Sequence, residues 1–534
     1  MAQKTQISTS ERLIGVAIPV GALRTEKSTG VGEFPDLAEF GVLCAKMGIG
    51  LVQLLPVNDT GYQSSPYSAL TAFGLHPLHL RIGDLDESAA YQADIAAIKS
   101  EFDAAPRFRY EALLKAKMSL LRKIYQENSK KIAESPELNG WIQENSWVKP
   151  YAVFRRLKEA NGEKSWREWS AQKAAAADIA ALWDDASLKG EHLFWAWIQR
   201  ALDAQFSAAA ASLAGQGILL QGDLPILMNE DSCDVWANQE IFNMELSAGA
   251  PPDMYSPEGQ NWGFPIYNWQ AQAEDGYAWW KARLKTAEKY YQAYRIDHVL
   301  GFFRIWASRR EENSAVLGRY VSSIPVNSKD FQKLSFDKGR LRWICEPHVF
   351  TGELWDALRS GWGSVFTEAE ITAAAGRVFE LALSRIGDEE LWLFKKNIRG
   401  EKDIIALDIH HAAKGFLVKA WANRIFFEHE KGQYFPLWYY RNSRAYASFS
   451  PDEKKNLEAL LEQRGIESEK VWEDEGYRLL SMLAASSSML PCAEDLGAVP
   501  GCVPRVLEKL NILGLRVVRW HREWDREGQP YVHF

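Results

Sequence analysis

Cysteine is scarce in this sequence, and the cysteines that are present form no paired motif. An odd number of scattered cysteines is typical of free thiols in a reducing compartment, and it argues against a disulfide scaffold or a zinc site. We therefore expect neither disulfides nor a bound metal, and no motif calls for an organic cofactor. The five cysteines are Cys44, Cys233, Cys345, Cys492 and Cys502.

Three further absences narrow the class of protein. No run of about 18 apolar residues occurs, so we expect no membrane span. The amino-terminal residues 1–20 lack a basic region followed by an apolar core, which argues against a signal peptide. No lysine- or arginine-rich run appears and the net charge is −8, which argues against a nucleic-acid partner. Together these absences predict a cytoplasmic globular protein without nucleic-acid or membrane partners, and they leave its oligomeric state open.

Aromatic residues, by contrast, are abundant. The chain contains 22 Trp, 19 Tyr and 24 Phe in 534 residues. At least half of the tryptophans are expected to fill a large core. The others favour a ligand with flat apolar faces and a polar rim, and sugars are ligands of this kind.

Short apolar runs alternate with helical patterns along the chain, which predicts a parallel sheet with helical crossovers. We predict an α/β fold, a (β/α)8 barrel of the TIM type with helical insertions. The alternative, an open doubly wound sheet, is less favoured because no GxGxxG motif opens a helix after the first strand. The runs that we interpret as barrel strands are 15–20, 50–57, 217–226, 293–303, 487–496 and 512–520.

The spacing of these runs predicts insertions. A barrel spends roughly 30 residues on each strand and helix, whereas the second and third runs, and the fourth and fifth, lie much further apart. The second long span is charged and predicted to be helix-rich, with either acceptor selection or a purely structural spacer as its role. The predicted division is 1–84 for the barrel start, 85–215 for a helical insertion, 216–309 for barrel with a covering loop at 249–269, 310–480 for a second insertion, and 481–534 for the continuation of the barrel.

Polar residues follow the predicted strands at the point where each strand ends. In a (β/α)8 barrel these ends form the active-site face. Buried carboxylates are costly unless they are paired or used, and several of them arriving at one face indicate glycoside chemistry. For Asp297, a buried ion pair with Arg295 on the same strand face is about equally plausible. The residues concerned are Asn58, Asp59, Asp223, Asp297 and Glu494.

Glycoside chemistry requires one ionised carboxylate and one protonated carboxyl. Arg295 favours the charged form of Asp297. Glu494 follows Pro491 and Ala493, a less polar setting that would raise its pKa. His298 would hydrogen-bond a sugar hydroxyl or serve as a packing histidine.

Five segments of the sequence, taken in order, resemble one family. These are RTEKSTGVGEFPDL, the stretch around Ser-Pro-Tyr-Ser, GAPPDMYSPEGQNWGFPIYNW, RIDH and AEDLG, at 24–37, 53–78, 249–269, 295–298 and 493–497. The chain resembles the 4-α-glucanotransferases of the amylomaltase, or disproportionating-enzyme, family, relatives of the α-amylases. The long spacer before AEDLG resembles the long-insert branch of the family.

The resemblance implies a retaining transferase that moves glucosyl or maltooligosaccharide units between α-1,4-glucans, with maltose, maltooligosaccharides and larger α-glucans as partners. Asp297 would be the nucleophile and Glu494 the acid/base. Tyr67 and Trp262 would stack on the sugar. The other substrate-binding residues implied are Ser65, Asp223, Asp253, Gln260, Arg295 and His298.

The sequence departs from the family pattern in two ways. Met254 stands in the covering loop where many members have an aromatic residue. The family also has a third acid in a His-Asp motif on the seventh strand, but this sequence contains no His-Asp dipeptide and ends at Phe534. We therefore expect a chain truncated after the sixth strand, without the last two βα units. An α-amylase-type hydrolase and an inactive glucan-binding remnant are the alternatives.

Overall fold

The computed structural model describes residues 12–170, 176–362 and 367–517. Its strands are β1 (Gly15–Ile18), β2 (Leu51–Leu54), β3 (Leu219–Leu224), β4 (Phe242–Ala250), β5 (Gln260–Tyr267), β6 (Ala293–Ile296), β7 (Trp306–Arg309), β8 (Arg319–Tyr320), β9 (Val326–Asn327), β10 (His348–Phe350), β11 (Leu383–Arg385), β12 (Leu391–Phe394), β13 (Phe426–Glu430), β14 (Gln433–Pro436), β15 (Leu490–Ala493) and β16 (Leu513–Gly514).

The helices fall between and around these strands. They are α1 (Asp36–Lys46), α2 (Gln92–Asp103), α3 (Tyr110–Ala133), α4 (Pro136–Glu144), α5 (Val148–Ala160), α6 (Ala176–Asp184), α7 (Lys189–Gly215), α8 (Cys233–Ala237), α9 (Trp269–Glu274), α10 (Ala278–Ala287), α11 (Ser328–Lys333), α12 (Lys338–Cys345), α13 (Thr351–Trp362), α14 (Glu368–Ala382), α15 (Glu401–Ala406), α16 (His411–Trp421), α17 (Arg444–Ala447), α18 (Pro451–Ala485) and α19 (Cys502–Lys509). Over the described ranges, every helix is too short or too polar to cross a lipid bilayer.

Six strands form one parallel sheet in the order β1-β2-β3-β6-β15-β16. Each predicted apolar run contains one of these strands. The order follows the chain from one edge to the other, as in a TIM-like α/β fold. A doubly wound sheet would reverse its order at a switch point, so the described strands rule out that alternative. Residues 518–520 of the last run, and 521–534 of the predicted last segment, lie outside the described residues.

The first predicted insertion contains the helices from α2 to α7. The last of these, α7, packs on α1 and leads directly into β3. It therefore serves as a crossover helix of the parallel sheet. The inserted part of 85–215 accordingly ends before Lys189, where α7 begins.

The predicted covering loop at 249–269 is mostly a β-hairpin. Strands β4 and β5 pair in antiparallel fashion, and only residues 251–259 connect them. Strand β4 also pairs with β7, and the four-stranded sheet has the order β5-β4-β7-β8. The segment 249–269 thus contains the end of β4 and the whole of β5, with a loop between them.

The second predicted insertion has a hydrophobic core of its own, here called the second core, which includes Phe331, Leu358 and Phe426. The span is not only helical, because two three-stranded antiparallel sheets, β10-β12-β11 and β13-β14-β9, lie within it. Helix α18 connects the two cores. Its Leu457 belongs to the second core, whereas its Leu479 belongs to the core around the parallel sheet.

Candidate active site

Three neighbouring parallel strands bring three carboxylic acids together at their carboxyl-terminal ends. Asp223 lies in β3 opposite Arg295 of β6, and Asp297 and Glu494 directly follow β6 and β15. Backbone hydrogen bonds hold the strand ends in register. The Asp297 N–H donates to the Leu224 carbonyl over 3.3 Å, and the Glu494 N–H donates to the Ile296 carbonyl over 2.9 Å. Residues far apart in the sequence are thereby fixed side by side.

One guanidinium, that of Arg295, contacts all three acids. Its Nη1 lies 2.6 Å from Asp223 Oδ1 and 3.0 Å from Asp297 Oδ1, and its Nη2 lies 3.9 Å from Glu494 Oε2. The side chain of Asp223 is 2% exposed, whereas those of Asp297 and Glu494 are 24% and 12% exposed. We call these four residues the acid cluster. The ion pair between Arg295 and Asp297 is present, but Asp297 shares the arginine with two other acids.

Burial raises the pKa of each acid in the cluster. The pKa of Asp297 is raised because burial outweighs the opposing effect of Arg295. The pKa of Glu494 is also raised by burial, against a hydrogen bond from the His298 backbone and the charge of Arg295. Burial raises the pKa of Asp223 to about 6. The predicted direction for Glu494 matches the structure, whereas Arg295 does not bring the pKa of Asp297 below its ordinary value.

His298 links the acid cluster to the hairpin. It adopts a left-handed backbone conformation with φ of 46°, and its N–H donates to Glu494 Oε2 over 2.8 Å. Burial lowers the pKa of the imidazole to about 4, so the ring is neutral at neutral pH. Its ring meets that of Trp262 edge to face, with centroids 5.1 Å apart. A neutral ring of this kind is suited to hydrogen-bonding a sugar hydroxyl.

Tyr67 reaches the acid cluster from the segment after β2. Its hydroxyl donates to Asp223 Oδ2 over 2.9 Å. Burial, followed by the charge of Asp223, raises the pKa of the phenol, which therefore stays protonated. Ser65 lies two positions earlier and is exposed, and its carbonyl accepts the Ser68 N–H.

Two residues of the hairpin that were predicted to bind substrate, Gln260 and Asp253, have different surroundings. Gln260 supports Trp262, since its Oε1 accepts the indole N–H over 3.0 Å. The Asp253 carboxylate instead accepts the N–H groups of Tyr255 and Ser256 and shapes the hairpin tip. Tyr255 is almost fully exposed there. Sequence reasoning noted Met254 and overlooked this aromatic neighbour, although its position in the predicted covering loop was a signal for it.

Two other acids that follow strands form their hydrogen bonds outside the acid cluster. Asp59 is buried and accepts hydrogen bonds from the Tyr151 hydroxyl over 2.7 Å and the Gly61 N–H over 2.9 Å. Asp495 accepts the Leu515 N–H over 2.8 Å and pairs with Arg516, also at 2.8 Å. Both carboxylates are thus held by neighbouring segments.

The Asn58 side chain donates to the Gly74 carbonyl over 3.3 Å. Of the five strand-end polar residues, the acid cluster thus contains Asp223, Asp297 and Glu494. Over the described ranges, no group of three His, Cys, Asp or Glu side chains is arranged to hold a metal ion.

Sequence reasoning also missed a buried cation near the acid cluster. Arg283 of α10 is buried, and its guanidinium lies against the rings of Trp279 and Trp280, 4.9 Å from the Trp280 centroid. Its charge lowers the pKa of Asp297, although less than Arg295 does. The sequence of α10, with an arginine near two tryptophans, is that of an ordinary amphipathic helix. Nothing in it therefore indicated that Arg283 lies near the acid cluster.

Comparisons with known proteins point to one family. The sequence profile of a family described as 4-alpha-glucanotransferase matches residues 18–534. A 4-alpha-glucanotransferase of Oryza sativa subsp. japonica is 32% identical over 542 residues, which cover 96% of this chain and 55% of the relative. A 4-alpha-glucanotransferase of Chlamydia muridarum is 33% identical over 533 residues, which cover 99% of this chain and 72% of the relative.

The matches differ in extent. The chain spans little more than half the length of the rice relative and about 60% of a Chlamydia pneumoniae relative. Among solved structures, an amylomaltase from Streptococcus agalactiae in complex with acarbose is similar, with a TM-score of 0.52 and 19% identity. The superposition covers 78% of this chain and all of that one. This last likeness supports the TIM-like fold.

Proposed function

This chain belongs to the 4-alpha-glucanotransferase family, and we propose that it transfers glucosyl or maltooligosaccharide units between α-1,4-glucans with retention of configuration. The observation that carries this proposal is the convergence of Asp297 and Glu494 on the single guanidinium of Arg295. Retaining chemistry uses two carboxyl groups about 5–5.5 Å apart, one on each side of the scissile bond.

In the first half of the reaction, Asp297 attacks the anomeric carbon while Glu494 donates a proton to the departing glycosidic oxygen. The bond from the anomeric carbon to that oxygen breaks, and a β-linked glucosyl-enzyme forms. A raised pKa suits Glu494 to this role, because the acid must carry a proton near neutral pH.

In the second half, Glu494 takes the proton from the 4-hydroxyl of an acceptor glucan. The acceptor oxygen attacks the anomeric carbon, the bond to Asp297 breaks, and the α-linkage is restored. Asp223, Arg295 and His298 bind sugar hydroxyls around the cleavage point in this proposal. The Arg295 guanidinium also limits the repulsion between the ionised carboxylates.

Transfer requires that the acceptor outcompete water. The hairpin supports this, since Trp262 contacts His298 beside the acid cluster and Gln260 braces the indole. We expect the Trp262 indole to help exclude water from the glucosyl-enzyme, and acceptor binding to supply a high effective concentration of the 4-hydroxyl. We assign Tyr67 and Trp262 to sugar stacking. Ser65 and Asp253 belong to the outer part of the same site.

Incubation with maltotriose tests the proposal. We expect a ladder of longer maltooligosaccharides together with glucose or maltose, because transferred units accumulate on acceptors. Products that are all shorter than maltotriose would indicate an α-amylase-type hydrolase. Unchanged maltotriose would contradict the proposed activity.

A further inference from the structure

A second aromatic site lies where strands β7 and β8 meet the second core. Four rings form its floor, those of Trp306, Tyr320, Trp438 and Trp472, and we call this site the aromatic groove. Its volume of about 620 Å³ falls within the range of about 300–1,000 Å³ that is usual for ligand sites. None of the acid-cluster residues lines it.

The rings of the groove hold one another in place. Trp306 meets Tyr320 at a centroid distance of 5.0 Å and Trp438 at 5.4 Å, both edge to face. Trp306 and Trp472 are buried, whereas Trp438 is 41% exposed. Trp438 is thus a rigidly supported ring with surface open to solvent. An exposed tryptophan on an aromatic floor is the kind of platform on which the apolar face of a pyranose ring stacks.

The groove also presents an unpaired donor. Within the described residues the Arg319 guanidinium makes no hydrogen bond or ion pair, although its Nε is buried, and it lies over the Phe435 ring at 4.6 Å. The other two arginines of the groove are paired, Arg441 with Glu458 and Arg464 with Asp330. Burial lowers the pKa of Arg319 to about 10, which leaves it charged at neutral pH.

The described lining contains no carboxylate. Open aromatic surface and a free guanidinium fork match a ligand with flat apolar faces and hydroxyl acceptors. Without an acid, the groove is suited to holding a glucan and not to cleaving it.

The four-stranded sheet links the groove to the hairpin beside the acid cluster. Strand β4 pairs with β7, which carries Trp306, on one side and with β5, which carries Trp262, on the other. Trp306 lines the groove, whereas the Trp262 ring contacts His298. Two strands of one sheet therefore present their tryptophans to two different sites.

We propose that the aromatic groove binds a segment of an α-1,4-glucan outside the cleavage site, with Trp438 as its stacking platform and Arg319 as its hydroxyl donor. The proposal deepens the proposed function and rests on it for the identity of the ligand. Its expected consequence is a preference for glucans that are long enough to occupy the groove while another segment lies at the acid cluster.

The test compares Trp438→Ala, Trp438→Phe and the unaltered protein with glycogen and with maltotriose. In native gels that contain glycogen, we expect Trp438→Ala to raise the apparent Kd about tenfold, the effect of losing one stacked ring. Trp438→Phe should retain most of the binding. The KM for glycogen should rise in Trp438→Ala, while kcat and KM for maltotriose stay unchanged.

Phe108→Ala provides the matched control, because Phe108 is another exposed aromatic residue and lies outside the groove. Arg319→Gln should weaken glycogen binding in the same assay. If Trp438→Ala binds glycogen as tightly as the unaltered protein, the proposal is overturned, even where maltotriose transfer is intact. A failure of maltotriose transfer with glycogen binding still dependent on Trp438 would overturn the proposed activity and leave the groove standing.

Discussion

Two clusters of ionisable side chains among the described residues are built in opposite ways. One cluster lies at the start of α1 and comprises Glu33, Asp36, Arg81 and Lys117. The Lys117 ammonium lies 2.7 Å from Glu33 Oε1, with both side chains 0% exposed, and Arg81 contacts both acids. We call it the balanced cluster. It has two acids and two bases, whereas the acid cluster has three acids and one base.

The balanced cluster leaves no carboxylate oxygen for a ligand. Asp36 also accepts hydrogen bonds from the hydroxyls of Thr25 and Ser28 and from the Glu33 N–H. In the acid cluster, by contrast, the side chains of Asp297 and Glu494 remain partly exposed and are therefore open to a substrate. Matched charge that is closed to solvent indicates a structural role, while an excess of one sign beside solvent indicates chemistry.

Replacing the nucleophile should have the largest effect of the changes considered, and this effect should be on catalysis and not on stability. We expect Asp297→Asn to lower kcat/KM for maltotriose transfer by at least about 10³-fold, because no covalent intermediate can form. Since burial raises the pKa of Asp297, its charge does not favour folding, and the unfolding midpoint in urea should not fall. Glu494→Gln provides the parallel variant. Substantial transfer by Asp297→Asn would refute the assignment.

Removing a cation from the balanced cluster should lower the stability of the protein and leave its catalysis unchanged. Lys117→Met leaves Glu33 buried with one partner fewer, and breaking a buried pair costs about 3–5 kcal/mol of unfolding free energy. The protein that remains folded should keep its kcat for maltotriose. Urea unfolding monitored by tryptophan fluorescence measures the loss.

Lys115→Met is the control for this experiment, because Lys115 lies on the same helix, is exposed, and is 3.9 Å from Glu111. Its unfolding midpoint should match that of the unaltered protein. Equal midpoints for Lys115→Met and Lys117→Met would show that the balanced cluster contributes nothing to stability.

The two clusters also show what could be predicted from the sequence. The carboxyl-terminal ends of neighbouring parallel strands lie side by side, so Asp223, Asp297 and Glu494 could be predicted as neighbours from their positions at strand ends. Asp59 has the same sequence context, yet it is bound by Tyr151 of α5. A partner supplied by a distant helix leaves no local pattern, so strand-end position cannot separate a catalytic acid from a structural one.

Other elements escaped prediction for a geometric reason. The pairing of β4 with β5 shifts register between Asn243 and Ser247 and again before Gly249. These irregularities break the alternation of polar and apolar residues that marks a strand, so the sequence pattern indicated neither β4 nor β5. The strands of the second core are between two and five residues long, too short for a periodic signal.

The pH dependence of transfer offers a smaller and more specific test. The mechanism requires Asp297 ionised and Glu494 protonated, so kcat/KM should follow a bell-shaped profile. Asp297 raises the pKa of Asp223, and because like charges disfavour ionisation, we expect Asp223 to raise the pKa of Asp297 in turn. In Asp223→Asn the acidic limb should therefore move to lower pH, by roughly one unit, beside a loss of activity from the missing sugar contact. An acidic limb that stays in place would show that Asp223 and Asp297 titrate independently.

Tyr67→Phe should have the smallest effect, in the same direction. The Tyr67 hydroxyl donates to Asp223 and favours the charged form of that acid, whose pKa is about 6. Its removal raises the pKa of Asp223, so Asp223 carries less negative charge beside Asp297, and the acidic limb should move to lower pH by a few tenths of a unit. Because Arg295 still holds the other oxygen of Asp223, kcat/KM at the optimum should fall only about fivefold.

Tyr125→Phe is the matched control for this variant. The Tyr125 hydroxyl donates to the Gly190 carbonyl over 2.7 Å within the first insertion, so its loss should leave both limbs of the profile unchanged. A shift to lower pH in Asp223→Asn and a smaller shift to lower pH in Tyr67→Phe, with none in Tyr125→Phe, would follow from electrostatic coupling within the acid cluster. A shift to higher pH in Tyr67→Phe would mean that Tyr67 acts through packing on the sugar, and that an excess of acids around one arginine does not set the pH at which this site operates.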